Sequence, residues 1–311
     1  MKMNIQSSAM PESFDSQGTT PVVMSATRPM YWSVRRELWE NRSIYVAPLV
    51  VAAVILFGFL IGTIGLPHKM RALAMLDPEQ QRAALAKPFD FAAGFLMATQ
   101  VLVGVFYCLD ALHSERSDRS ILFWKSLPVS DLTTVLSKAS IPIIVLPLLT
   151  FAITAVTQLA MFLMNSATWM ASGRSFTELW TQVALIPMLL MLLYHLVTVH
   201  ALWHATIYSW LLLVSGWARR ATFLWAALPL FAIGIMEKVV FNTSHFAAML
   251  GYRMSGPETF RFTSHAGGAM YPMATPDLGT FLSTPGLWIG LAIAGAFLAA
   301  AVRLRRYQGA I

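Results

Sequence analysis

Long apolar runs near residues 44–66, 91–109, 141–164, 183–217, 222–241 and 285–302 alternate with shorter segments that hold most of the charge. A helix needs about 20 residues to cross a bilayer, and in hydrocarbon the backbone must bond to itself. The pattern therefore predicts an all-α integral membrane protein with six transmembrane helices, forming one domain over residues 28–311. The fourth run is longer than a perpendicular crossing. It is either a surface helix that then crosses or one long helix that is tilted, kinked or projecting. Two crossings would leave no polar turn between them.

The connecting segments carry their own signals. Residues 1–27 are rich in Ser, Thr, Gln and Pro and hold no apolar stretch, which predicts a disordered tail. Residues 28–42 read as an amphipathic helix. Met30, Tyr31, Val34 and Leu38 fall on one arc, Arg36, Glu37 and Glu40 fall opposite, and Trp32, Arg35 and Trp39 lie at the borders. Such borders suit a helix lying in the headgroup layer, with Tyr31, Trp32, Arg35, Leu38 and Trp39 as interfacial residues; the alternative is a straight extension of the first span. Asp77, Pro78 and Gln80 predict a short helix over residues 78–87. Residues 241–285 lack a long apolar run and read as an external segment.

Residues 113–130, HSERSDRSILFWKSLPVS, form the most patterned polar segment and join the second and third spans. Glu115, Arg116, Asp118 and Arg119 come first. Ile121, Leu122, Trp124 and Leu127 then supply one side of a two-turn helix that Pro128 stops. Ser130 is placed to cap a new helix from Asp131. A short helix across the membrane face, held between two spans, is suited to docking a soluble partner and passing its motion into the bundle. The alternative is an ordinary loop, charged because water faces it.

In Glu115, Arg116, Arg119, Ser120, Leu127, Pro128, Val129 and Ser130 the chain resembles the permease subunits of type-2 ABC transporters, many of them exporters. That pattern has an acidic-basic start, a short apolar helix and a Pro-Val-Ser-like end; its usual Gly-Thr-Leu is replaced here by Arg-Ser-Ile at 119–121. The resemblance implies a coupling helix docked on an ATPase through Glu115, Arg116, Asp118, Arg119, Ile121, Trp124, Leu127 and Pro128. It also implies two copies of an ABC ATPase subunit as partners, a second permease copy or close paralogue, and ATP and Mg bound by the ATPase, with no cofactor in this chain.

Composition supports the membrane assignment, because 57% apolar and 12% charged residues cannot cover a soluble surface of 311 residues. The net charge of +7 is spread over span ends rather than gathered on one face, which argues against nucleic acid as a partner. More Lys and Arg lie on the side holding both termini and the 113–130 loop, which places that side in the cytoplasm, and the resemblance implies the inner membrane. No G-x-x-x-x-G-K-[ST] motif occurs, so ATP chemistry must come from another chain and no enzymatic activity is expected here.

His195, His200 and His204 lie in the fourth run, where His200 and His204 share a helical face. No neighbouring carboxylate or Cys completes a metal shell, so no metal is expected; they and Glu237 are candidates to line a cavity. Gln100 and Gln158 are candidates for bonds across helices. The favoured reading is the permease subunit of an ATP-driven exporter. The alternatives are a non-transporting membrane subunit relaying ATPase motion, and an intramembrane metal enzyme built on the histidines.

Overall fold

A computed structural model describes residues 27–64, 76–126, 129–171, 173, 175–256, 262–264, 270–272 and 278–307. The predicted tail, Thr27 excepted, lies outside these residues, as do Leu127 and Pro128. The chain is a multi-pass helical membrane protein: among the described residues six helices are long and apolar enough to cross a membrane. One antiparallel pair of three-residue strands, β1 (Phe262–Ser264) and β2 (Met270–Pro272), departs from helix within the expected external segment.

Helix α1 (Thr27–Glu40) leads into α2 (Ser43–Ile64), and α3 runs unbroken from Pro78 to Asp110. Helix α3 begins at Pro78 as the sequence predicts, although Asp77 makes no side-chain cap bond. The separate helix expected over 78–87 does not exist, because α3 continues through Pro88. Leu85 and Phe89, on either side of that proline, are buried against Met161, Phe162 and Trp169, and this packing outweighs the local helix-breaking tendency. Two short helices follow, α4 (His113–Ser117) and α5 (Ser120–Ser126).

Helix α6 (Asp131–Ser140) starts where Ser130 Oγ accepts from Thr133 N at 3.1 Å, the predicted cap. It passes through one π turn, Ile141–Val145, into α7 (Leu146–Ala171). Pro142 stands in that turn, and a widened ladder absorbs its missing N–H.

The fourth run divides into α8 (Phe176–Val183), α9 (Leu185–His195), a π segment at Leu196–Trp203 and α10 (Ala205–Trp217). The break before α9 is at Ala184, whose φ is +47°. Helix α11 (Thr222–Phe241), α12 (His245–Ser255), α13 (Leu278–Ser283) and α14 (Pro285–Tyr307) complete the order. Without water between helices, close packing and hydrogen bonds hold such a bundle. Thr206 Oγ1 donates to Gly290 O at 2.9 Å, joining α10 to α14. Gly104 lets α3 approach α10, since a Cβ there would sit 3.1 Å from the Tyr208 ring.

Candidate functional site

The 113–130 segment is fastened to the bundle by charges that amphipathic patterning assigns to the surface. Glu37 on α1 is 0% exposed and Glu115 on α4 is 5% exposed. Lys138 Nζ on α6 bridges them, 2.8 Å from Glu37 Oε1 and 3.1 Å from Glu115 Oε1. Arg36 makes a second bridge, at 2.8 Å and 3.0 Å to the same two oxygens. Tyr107 of α3 donates its hydroxyl to Glu37 Oε2 at 2.8 Å. Arg305 of α14 pairs with Glu115 Oε2, and its Nε lies 3.2 Å from Asp131 Oδ1. The carboxylates and cations thus compensate one another across α1, α3, α4, α6 and α14, which makes their burial tolerable.

Three expectations are corrected here. Glu115 and Arg116, read as docking charges, are buried and spent on internal contacts. Arg116 Nη1 donates to Gly216 O at 2.6 Å, closing the C-terminus of α10, where a cation meets the negative end of the helix dipole. The amide N–H groups of Leu112 and His113 both donate to Ser215 Oγ at 3.0 Å, adding to the same clamp. Glu37 is likewise not on a wet face. Periodicity marks which positions share a side of a helix, but it is blind to countercharges brought from residues far away in the chain. Ile121 is the third correction, since it is 1% exposed and packs inward.

The outward face of α5 is made by Leu122, 61% exposed, and Phe123, 60% exposed. Phe123 was missed by the sequence reading. It could have been found, because Ile121 and Trp124 three apart share one side and leave Phe123 pointing away from it. Trp124 is half-buried, with the Arg36 guanidinium 3.9 Å from its ring centroid. This cation–π contact, of order 0.5–2 kcal/mol, ties α5 to the ion network. Asp118 is exposed and its Oδ1 accepts from Ser120 N at 3.0 Å.

Arg119, also exposed, has φ of +63° between α4 and α5, a left-handed conformation that costs a Cβ-bearing residue about 1–2 kcal/mol. Arg119→Gly is expected to keep or slightly raise the thermal midpoint of the purified protein, the relief being partly offset by about 0.4–1 kcal/mol of chain entropy. Arg119→Val should lower it, since branching at Cβ worsens the clash.

Burial alone pushes the Glu37 carboxyl up, but Lys138, Arg36 and the Tyr107 hydroxyl together hold it below its ordinary 4.5. A depressed folded-state value means that ionised Glu37 contributes stability above about pH 4.5, and that this contribution is lost as pH falls through the lowered value. The thermal midpoint should hardly depend on this group between pH 7 and 5 and should fall at lower pH. Glu37→Gln should flatten that fall, as followed by thermal unfolding in buffers from pH 7 to 3.

The interfacial residues divide. Tyr31, Trp32 and Trp39 stand outside the protein, with Arg35 4.7 Å over the Trp39 ring, whereas Leu38 packs against the core. His195 meets His200 edge-on at 5.4 Å between ring centroids, and His200 meets His204 at 5.3 Å with the rings tilted by 55°. The π segment makes this possible by bringing residues five apart onto one face. Among the described residues no group of three His, Cys, Asp or Glu side chains is placed to hold a metal ion.

Glu237 is not placed as a cavity-lining group. Its carboxylate accepts from Thr243 Oγ1 at 2.8 Å and from the backbone N–H groups of His245 and Phe246 at 2.7 and 2.8 Å, capping α12. Gln158 does bond across helices, donating to Phe89 O at 3.1 Å, while buried Gln100 has no hydrogen-bond partner among the described residues.

No family model, curated protein or solved structure matches this chain.

Proposed function

We propose that the protein is the membrane-spanning permease subunit of an ATP-driven ABC exporter, with α5 as the helix that receives motion from a separate ATPase subunit. The observation that carries this reading is the two-sidedness of α5. Leu122 and Phe123 project outward, while on the other side Ile121 is buried and Trp124 lies under Arg36 of the ion network that joins α1, α3, α4, α6 and α14. A push on α5 would reach several helices together, as near-rigid bodies. The left-handed backbone at Arg119 adds support, because the resembled pattern has Gly there and Gly adopts that conformation without penalty.

In this reading the chain performs no covalent chemistry, and ATP with Mg binds the ATPase copies. A second permease copy or close paralogue completes the transporter. The charged end of the bundle then faces the cytoplasm. Glu115 and Arg116 act by holding α4 and α5 in place rather than by touching the ATPase.

A photo-crosslinking residue at Phe123, activated in intact cells, should capture a chain that carries a P-loop and whose hydrolysis is stimulated by the co-purified permease. The same residue at Tyr31, exposed on α1, should capture much less of it. Capture of no P-loop protein at Phe123, or equal capture at both positions, would sink the assignment.

A further inference from the structure

Gln100 on α3 is fully buried, and neither atom of its amide group has a hydrogen-bond partner among the described residues. It stands ten residues after Asp90 and ten before Asp110, about 15 Å from each, and so half-way through the hydrocarbon core. Neighbouring helices bring more groups of the same kind. Gln158 of α7 donates to Phe89 O, and Ile153 packs with Leu96, so the antiparallel register sets Thr150 level with Gln100. Thr150 and Thr154 are fully buried with unpartnered hydroxyls, and Gln158 Oε1 is unpartnered as well. On α10, Tyr208 lies against Gly104, one turn further along α3, and its hydroxyl also lacks a partner. The Nδ1 atoms of His200 and His204 continue the series on the π segment.

A lone hydroxyl or amide in hydrocarbon costs free energy that an apolar side chain of the same shape does not, and polar groups on adjacent helices normally satisfy one another. Here the unsatisfied groups follow a line. Thr150, Thr154 and Gln158 are spaced by four on one face of α7, over about 12 Å. At one end Gln158 is part of the wall of a cavity of about 350 Å³ between α3, α7, α8 and α9. At the other, Tyr208 is two turns before Ser215, whose hydroxyl takes the Leu112 and His113 amides beside the ion network. The seam thus leads from a cavity near one face of the membrane towards the other face.

Its chemistry is polar without being charged. No Asp, Glu, Lys or Arg occurs in α7, in α10 or in α3 between Asp90 and Asp110. Arg82 and Asp90 both line the cavity, and being of opposite sign they give it no preference for either charge. Arg253 of α12 comes to the edge of the π segment, where it lies over the Trp203 ring and donates to Gly286 O.

We infer that the seam is a passage, shut in this conformation, for a small uncharged solute bearing hydroxyl or amide groups. When the helices part, such a solute supplies both the donors and the acceptors that Gln100, Thr150, Thr154 and Gln158 lack. The inference deepens the transport reading by naming the class of molecule that passes. Its test contains no ATPase, so its failure leaves docking at α5 untouched.

The full chain in nanodiscs is treated with three methanethiosulfonates, neutral hydroxyethyl, cationic trimethylammonioethyl and anionic sulfonatoethyl, and labelling is timed by mass spectrometry. The parent, whose single cysteine Cys108 is buried, gives the background rate. Thr154→Cys should react with the neutral reagent about tenfold or more faster than with either charged one, because a charge in the seam meets no countercharge. Val156→Cys, at an outward-facing position on the same helix, should stay near background with all three. Thr150→Val removes a hydroxyl that bonds to nothing, so it should hold or raise the thermal midpoint while slowing the neutral labelling of Thr154→Cys by about tenfold. Labelling of Thr154→Cys no faster than background overturns the proposal, as does labelling led by a charged reagent, including an anion drawn to Arg253. A midpoint lowered by Thr150→Val overturns it too, since the hydroxyl would then be bonded within the fold. Thr150→Cys replaces Thr154→Cys in the labelling series if the latter does not fold.

Discussion

Lys138→Met is expected to destabilise the protein by about 3–5 kcal/mol, because it leaves two buried carboxylates, Glu37 and Glu115, with only Arg36 between them. Folded proteins are commonly stable by about 5–15 kcal/mol, so this is a large part of the whole. The thermal midpoint of the purified protein and the yield of inserted protein should both fall. Adding Glu37→Gln to Lys138→Met should recover part of the loss, since the stranded charge is then removed along with its partner. Glu115→Ala should destabilise as well, because it leaves Arg305 with Asp131 alone and removes one of the two carboxylates that Lys138 joins. An unchanged midpoint for Lys138→Met would mean that water or another cation serves the two carboxylates, and that the network does not hold α4 to the bundle.

Phe123→Asp should have the opposite profile. The side chain is 60% exposed and lies outside the packed clusters, its one aromatic contact among the described residues being edge-on to Trp124 at 5.0 Å, so folding should change by no more than about 1 kcal/mol. An apolar anchor lost from the centre of a docked interface costs about 2 kcal/mol or more, which is over tenfold in affinity. If the protein is the permease proposed above, co-purification with its ATPase and stimulation of that ATPase's hydrolysis should therefore drop while the thermal midpoint stays put. Leu122→Asp should behave in the same way, and the double variant should be worse than either. Variants at Leu122 and Phe123 that still bind the ATPase and transport at the parental rate would leave α5 an ordinary surface turn. The contrast with Lys138→Met separates a residue that holds the helix from one that touches a partner.

Ser130 and Pro78 were legible as helix starts because capping chemistry and the fixed φ of proline act within one turn of chain. The loss of the expected break near residue 88 was not legible. It depends on what Phe89 packs against, and Met161, Phe162 and Trp169 lie far along the sequence. The histidines were placed on the right stretch, but the edge-on contact of His195 with His200 depends on a π segment that no local motif announced.

By itself the sequence determined that the chain is a multi-pass helical membrane protein, since apolar runs of bilayer length must satisfy their backbone internally whatever surrounds them. It also marked residues 113–130 as the segment in which charge and apolar residues are ordered. Only the tertiary structure decided which of those charges are available to a partner. Glu37, Glu115, Lys138 and Arg305 come from four distant stretches, and each taken alone looks like a solvated residue at a helix end. Their burial follows from mutual compensation at about 3 Å, and a property shared between residues separated by 190 positions cannot be read from the pattern around any one of them.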